Sequence, residues 1–82
     1  MKITNLETAL KAIKRIKKNA QEETVRVYTA DDCGWSWYFS VSGFMADGRY
    51  FDIYLMKSDD SKTVTVEPSS TTDVELAELT AK

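Results

Sequence analysis

The first part of the chain carries apolar side chains at helical spacing. Residues 5–19 place them along one side of a helix, with basic side chains opposite, and Thr4-Asn5-Leu6-Glu7 fits a capping box with Thr4 as the N-cap. The pattern predicts a helix over about residues 5–19. Its core-facing stripe is predicted to contain Leu6, Ala9, Leu10, Ile13, Ile16 and Ala20.

The middle of the chain changes to a period of two, which is typical of strands with one buried face. Four segments show it: residues 24–30, 35–42, 49–57 and 62–67. Clusters of Asp, Ser and Gly separate them, and Asp47-Gly48 is typical of a two-residue type I′ hairpin. After Pro68, residues 72–75 repeat the capping-box pattern, which predicts a short acidic helix ending near Thr80.

The pairing of the second and third strands can be tested from the pattern alone. A two-residue loop at Asp47-Gly48 would set Val41 opposite Tyr54, and so join the apolar face of one strand to the polar face of the next. One extra residue removes the conflict. We therefore predict a β-bulge near Ser42-Gly43, which turns Phe44 and Ala46 towards the core, or else a longer loop within residues 42–48.

Together these elements predict one domain of the α+β class, in the order α-β-β-β-β-α. A four-stranded antiparallel meander packs on the N-terminal helix as a two-layer α/β sandwich. Strand alternation assigns Trp35, Trp37, Phe39 and Val41 to the covered face.

The opposite face of the sheet is the candidate contact surface. Alternation places all 4 tyrosines of the chain on it, and Tyr, Arg and Met are enriched in protein interfaces. Two plainer interpretations compete: Tyr favours any half-exposed strand, and the C-terminal helix could cover this face. The predicted partner-binding residues are Tyr28, Tyr38, Tyr50, Tyr54, Arg26, Asp52 and Met56.

The uneven distribution of charge adds a second hypothesis. The net charge is −2, yet residues 1–20 are strongly basic and the rest of the chain is acidic. A basic helix surface can contact phosphates, so nucleic-acid binding is an alternative, with Lys11, Lys14, Arg15 and Lys18 as its residues. Self-association into a homodimer is a third alternative.

Composition argues against catalysis. The chain has no histidine, and its one cysteine, Cys33, stands beside Asp31 and Asp32, whose charges disfavour a thiolate. The acidic pairs lack the ligand spacing of a calcium loop, and the 3 glycines form no phosphate loop. We expect no enzyme activity, cofactor or metal site.

A lone cysteine, a polar N-terminus and the absence of a long apolar run predict a cytoplasmic protein that does not span a membrane.

In size, α+β build, acidic balance and lack of catalytic groups, the chain resembles small acidic proteins of phages and mobile elements, including anti-CRISPR and other anti-defence inhibitors. The resemblance implies a stoichiometric inhibitor in the host cytoplasm that occupies a nucleic-acid or partner site on a host complex. It also implies that carboxylates can stand where phosphates would lie. The candidates for that role are Asp31, Asp32, Asp47, Asp59, Asp60 and the acidic residues of the last helix.

Overall fold

The computed structural model of the chain describes residues 1–30, 36–58 and 61–82. One antiparallel sheet has the strand order β1-β2-β3-β4, so every strand pairs with its neighbour in the sequence. The predicted α+β meander is confirmed. The elements are α1 (Leu6–Asn19), a 3₁₀ turn (Glu22–Thr24), β1 (Arg26–Ala30), β2 (Trp37–Phe44), β3 (Tyr50–Lys57), β4 (Thr65–Pro68) and α2 (Leu76–Leu79).

The N-cap of helix α1 lies one residue later than predicted. Asn5 is the N-cap: its Oδ1 accepts the Thr8 N–H at 2.8 Å, and the Thr8 hydroxyl accepts the Asn5 N–H at 3.0 Å. The predicted box from Thr4 to Glu7 is wrong. The Thr8 hydroxyl also accepts the Thr4 N–H at 2.9 Å. By accepting the Asn5 N–H, it takes the position that a glutamate or glutamine side chain occupies in the usual motif.

The buried face of α1 is rotated from the predicted stripe. Ala9, Ala12 and Ile16 are fully buried, whereas Leu6 and Leu10 are 43% and 47% exposed. The helix packs against the C-terminal segment as well as the sheet. From that side of α1, the Arg15 guanidinium donates to the Thr80 carbonyl and the Asn19 amide donates to the Leu79 carbonyl. A second packing partner therefore turns the buried face towards Ala12.

The β2–β3 hairpin resolves the register conflict through its loop. Gly48 N–H donates to the Met45 carbonyl and Met45 N–H to the Arg49 carbonyl, both at 2.9 Å, and Gly48 has φ +91°. This is a three-residue loop over residues 46–48, in which glycine takes the left-handed position. Val41 then lies opposite Ile53. The predicted two-residue turn and the bulge near Ser42-Gly43 are wrong, and a longer loop is the solution that the chain uses.

The uninterrupted strand reverses two predicted orientations. Gly43 and Met45 are buried, whereas Phe44 is 43% exposed and Ala46 is exposed, although both were predicted to face the core. A side chain at Gly43 would have its Cβ 3.1 Å from the Val25 Cα. Glycine therefore lets β2 pass close to the start of β1.

The core lies between the inner sheet face and the two helices. Trp37 lies in it, as predicted, and Trp35 lies outside the described residues. Phe39, Val25, Val64 and Val66 pack against it partly buried, while Val27, on the edge strand, is 36% exposed. The core cluster consists of Ala9, Ile13, Ile16, Trp37, Val41, Met45, Phe51, Ile53, Leu55, Val74 and Leu79.

The last part of the chain is less regular than predicted. β4 begins at Thr65 rather than residue 62, and α2 is one turn whose N-cap, Glu75, makes no side-chain cap. Thr72 is not the cap of this helix, because its hydroxyl binds the backbone of Asp52 instead. It accepts the Asp52 N–H at 2.9 Å and donates to the Asp52 carbonyl at 3.0 Å. The segment after β4 therefore binds the β3 backbone at Asp52, just beyond the residues of β3 that pair with β4, before the chain reaches α2.

Candidate functional site

The sheet surface turned away from the helices brings the predicted partner-binding residues together. Strand register aligns Tyr28 with Ser40 and Ser40 with Tyr54, and it aligns Tyr38 with Met56. Side chains at these aligned positions project from the same side of the sheet. We call this surface the outer face. Its residues are Arg26, Tyr28, Tyr38, Ser40, Ser42, Phe44, Tyr50, Asp52, Tyr54, Met56, Thr65 and Glu67.

The outer face is open in the described part of the chain. Val74 and Leu79 belong to the same buried cluster as Ile13 and Ile16, so the C-terminal segment packs on the helix side of the sheet. Tyr28 is 69% exposed, and the other three tyrosines are half-buried by their strand neighbours. The interpretation in which α2 covers the tyrosines is therefore wrong.

Four aromatic side chains of the outer face form two ring pairs. Tyr38 and Tyr54 stack with ring centroids 6.1 Å apart and planes 26° apart. Phe44 and Tyr50, directly opposite each other in the register, have centroids 5.3 Å apart and an interplanar angle of 59°. Sequence reasoning missed Phe44 because it assumed a bulge. Unbroken alternation from Val41 to Phe44 would have placed it here.

Asp52 lies between the two aromatic pairs. Tyr50 and Tyr54 are its same-face neighbours along β3, and Ser42 lies opposite it on β2. The carboxylate accepts the Tyr54 hydroxyl at 3.2 Å and the Ser40 hydroxyl at 3.4 Å. The Thr72 hydroxyl and the Ser69 N–H hold its backbone. We call this group, Ser40, Ser42 and Asp52 between the two aromatic pairs, the Asp52 bay.

The charge of Asp52 sets the electrostatics of the bay. It raises the pKa of Tyr54, first through its negative charge and then through the hydrogen bond to the phenol. Tyr54 therefore remains a neutral hydrogen-bond donor. Arg26, which lies two strands away in the same row, donates to the Glu23 carbonyl at 3.0 Å. Among the described residues, Asp52 forms no ion pair.

The residues of the nucleic-acid alternative are divided by the structure. The Lys11 ammonium lies 3.5 Å from the Glu7 carboxylate, one turn earlier on α1. Arg15 is half-buried and donates to the Thr80 carbonyl. Lys14 and Lys18 are exposed. Arg15 therefore serves the packing of the two helices as well as the charge of the surface.

Two of the carboxylates considered for phosphate mimicry share one cation. The Arg49 guanidinium contacts Asp47 at 2.8 Å and also pairs with Glu78 of α2. Hydrogen bonds from the Arg49 backbone N–H and side chain lower the pKa of Asp47, and the guanidinium lowers that of Glu78. Asp31, Asp32, Cys33, Asp59 and Asp60 lie outside the described residues.

Comparison with protein-family models, with curated proteins and with solved structures gives no match. Within the described ranges, no helix is long and apolar enough to cross a membrane. No three His, Cys, Asp or Glu side chains of those ranges form a group that could hold a metal ion.

Proposed function

We propose that this chain is a non-enzymatic protein-binding module that docks through its outer face. One observation carries the proposal: four tyrosines and Phe44 share an open sheet surface, and all of these rings except that of Tyr28 lie in two ring pairs. Large aromatic side chains with a polar tip supply contact area and hydrogen bonds at the same position. Such residues dominate the binding energy of protein interfaces.

Preorganisation supports this choice of surface. The Tyr38–Tyr54 stack and the Phe44–Tyr50 contact restrict the rings before any partner arrives. Binding then costs less side-chain entropy, which is about 0.5–1.5 kcal/mol for each flexible side chain that an interface immobilises. Serines between the rings add adaptable hydrogen-bonding groups.

Charge favours a protein over a nucleic acid as the partner. Across the described strands the outward row positions carry one cation, Arg26, and two carboxylates, Asp52 and Glu67. Aromatic platforms that bind single-stranded nucleic acid lie in positive grooves that follow the phosphates. The outer face lacks that field.

The proposed mode of action is inhibition by occupying a surface of a larger complex, in the manner that the resemblance to anti-defence proteins implies. The aromatic face suits this role better than the described carboxylates of the hairpin and α2. Arg49 already pairs with both Asp47 and Glu78, so neither carboxylate is free of a cation partner as a phosphate mimic would need to be.

Capture with matched variants tests the proposal. The tagged chain is immobilised, and proteins from cells that produce it are compared on wild type, on Tyr38→Ala/Tyr54→Ala and on Lys14→Ala/Lys18→Ala. We expect a partner that is retained by wild type and by the lysine variant and is reduced at least about tenfold by the tyrosine variant. Circular dichroism and thermal unfolding check that both variants remain folded.

The reverse result, retention by the tyrosine variant and loss with the lysine variant, would reject the outer face. It would move the binding site to α1.

A further inference from the structure

We propose that the Asp52 bay receives an arginine side chain of the partner protein. This inference rests on the proposed function and specifies the chemistry that the outer face recognises. Two features carry it: a carboxylate with unused acceptor capacity, and aromatic rings on both sides of it.

The carboxylate of Asp52 is incompletely used within the chain. Its two donors are neutral hydroxyls, at 3.2 Å and 3.4 Å. Hydrogen bonds from hydroxyls to a charged oxygen are normally about 2.5–2.7 Å, so both contacts are long. Two carboxylate oxygens offer about four acceptor positions in total. Acceptor positions on the Asp52 carboxylate therefore remain for a strong donor pair from a partner.

The aromatic rings on either side of Asp52 favour a planar cationic group as the donor. The Tyr38–Tyr54 stack bounds one end and the Phe44–Tyr50 pair bounds the other, with the small side chains of Ser40 and Ser42 beside Asp52. A guanidinium is planar, forms two parallel bonds to a carboxylate and stacks on aromatic rings. A lysine ammonium is a point charge with a tighter hydration shell, and it fits such a bay less well.

The arrangement of the chain's own cation leaves this position to a partner. Arg26 lies in the same row as Asp52, with Ser42 between them, but its guanidinium donates to the carbonyls of Glu23 and Val25. The positive charge that the bay favours is then supplied by the protein that docks on the face.

Selection from a random peptide-display library on the whole immobilised chain provides the test. We expect the enriched peptides to share an arginine. Replacing that arginine by citrulline, its neutral analogue of the same shape, should weaken binding about tenfold or more, and replacement by lysine should also weaken it. These peptide variants leave the chain itself unchanged.

Variants of the chain supply the complementary arm. Asp52→Asn keeps an acceptor oxygen for one of the two hydroxyls, of Ser40 and Tyr54, and offers an amide N–H to the other. It should weaken the arginine peptides about tenfold. Glu75→Gln removes the same charge from the N-cap position of α2 and should leave affinity within about twofold.

The outcomes separate this inference from the proposed function. One outcome would overturn the arginine site alone. In it, the peptides lose affinity for Tyr38→Ala/Tyr54→Ala, but their affinity is unchanged by Asp52→Asn and by citrulline in place of arginine. Peptides unaffected by the tyrosine variant, or no enrichment at all, would count against both.

Discussion

A side chain added at Gly43 would meet closely packed backbone, whereas one added at Gly48 would meet open space. An added Cβ would lie 3.1 Å from the Val25 Cα and 3.3 Å from the Thr24 carbonyl oxygen, and backbone atoms cannot move aside as a flexible side chain can. We predict that Gly43→Ala lowers the free energy of unfolding by about 1–3 kcal/mol, the usual cost of overpacking. Urea unfolding measures it.

The neighbouring Ser42→Ala is the control for that substitution, because Ser42 points to the outer face. It should change stability by no more than about 0.5 kcal/mol. Equal stability of wild type and Gly43→Ala would show that the backbone of Thr24 and Val25 does not approach β2 as described.

The Arg49–Glu78 pair predicts a pH-dependent term in stability. The guanidinium lowers the pKa of Glu78 from its ordinary 4.5, so around that pH the unfolded chain binds more protons than the folded chain. The stabilisation is complete above pH 4.5 and is lost as the pH falls through the lowered value. The melting temperature of Glu78→Gln should therefore lie below that of wild type at neutral pH and converge with it in acid.

Glu75→Gln is the control for this pH profile, since Glu75 forms no ion pair among the described residues. A melting-temperature difference between wild type and Glu78→Gln that is the same at acid and neutral pH would contradict the role of Arg49. Added salt should reduce the difference, because the pair is exposed.

At the scale of elements, the rotation of α1 predicts a contrast between two apolar residues of one helix. Ile16 is fully buried, and its replacement by Ala should cost about 2–5 kcal/mol. Leu10 is 47% exposed, and Leu10→Ala should cost no more than about 0.5 kcal/mol. Denaturant unfolding of the two variants compares them directly. Equal losses in the free energy of unfolding would instead support the helix orientation that the sequence pattern predicts, with Leu10 facing the core.

The elements themselves could be predicted from local patterns, but their exact orientation could not. The spacing of Ile13 and Ile16 indicated the helix. Its rotation depends on hydrogen bonds from Arg15 and Asn19 to residues more than 50 positions away, which local periodicity does not encode. In the same way, the register conflict at Val41 was visible, but alternation alone could not choose between a bulge and a longer loop.

In the candidate site, too, some features could be predicted from the local sequence and others could not. The four tyrosines follow from strand alternation, which needs only the neighbouring residues. The position of Phe44 depends on the loop over residues 46–48, and the Asp52 bay depends on pairing between strands. The exposure of the outer face depends on where the C-terminal segment packs. The sequence allowed that segment to lie either on the tyrosines or on the opposite side of the sheet.

For the whole molecule, the charge distribution predicts little affinity for nucleic acid. The net charge is −2, Lys11 is paired with Glu7, and Arg15 binds the C-terminal backbone. An electrophoretic shift assay at low salt should show no complex with DNA or RNA. A shift that disappears with added salt and in Lys14→Ala/Lys18→Ala would instead support the basic-helix alternative.

The central claim is that the outer face is the surface on which a partner docks. Chemical-shift mapping tests it most directly: the isotope-labelled chain is titrated with the partner identified by capture, and amide and aromatic signals are followed. We predict that the largest changes fall on Tyr38, Asp52 and Tyr54, with α1 little affected. Changes concentrated on Lys14 and Lys18, with the tyrosine signals unmoved, would contradict the claim.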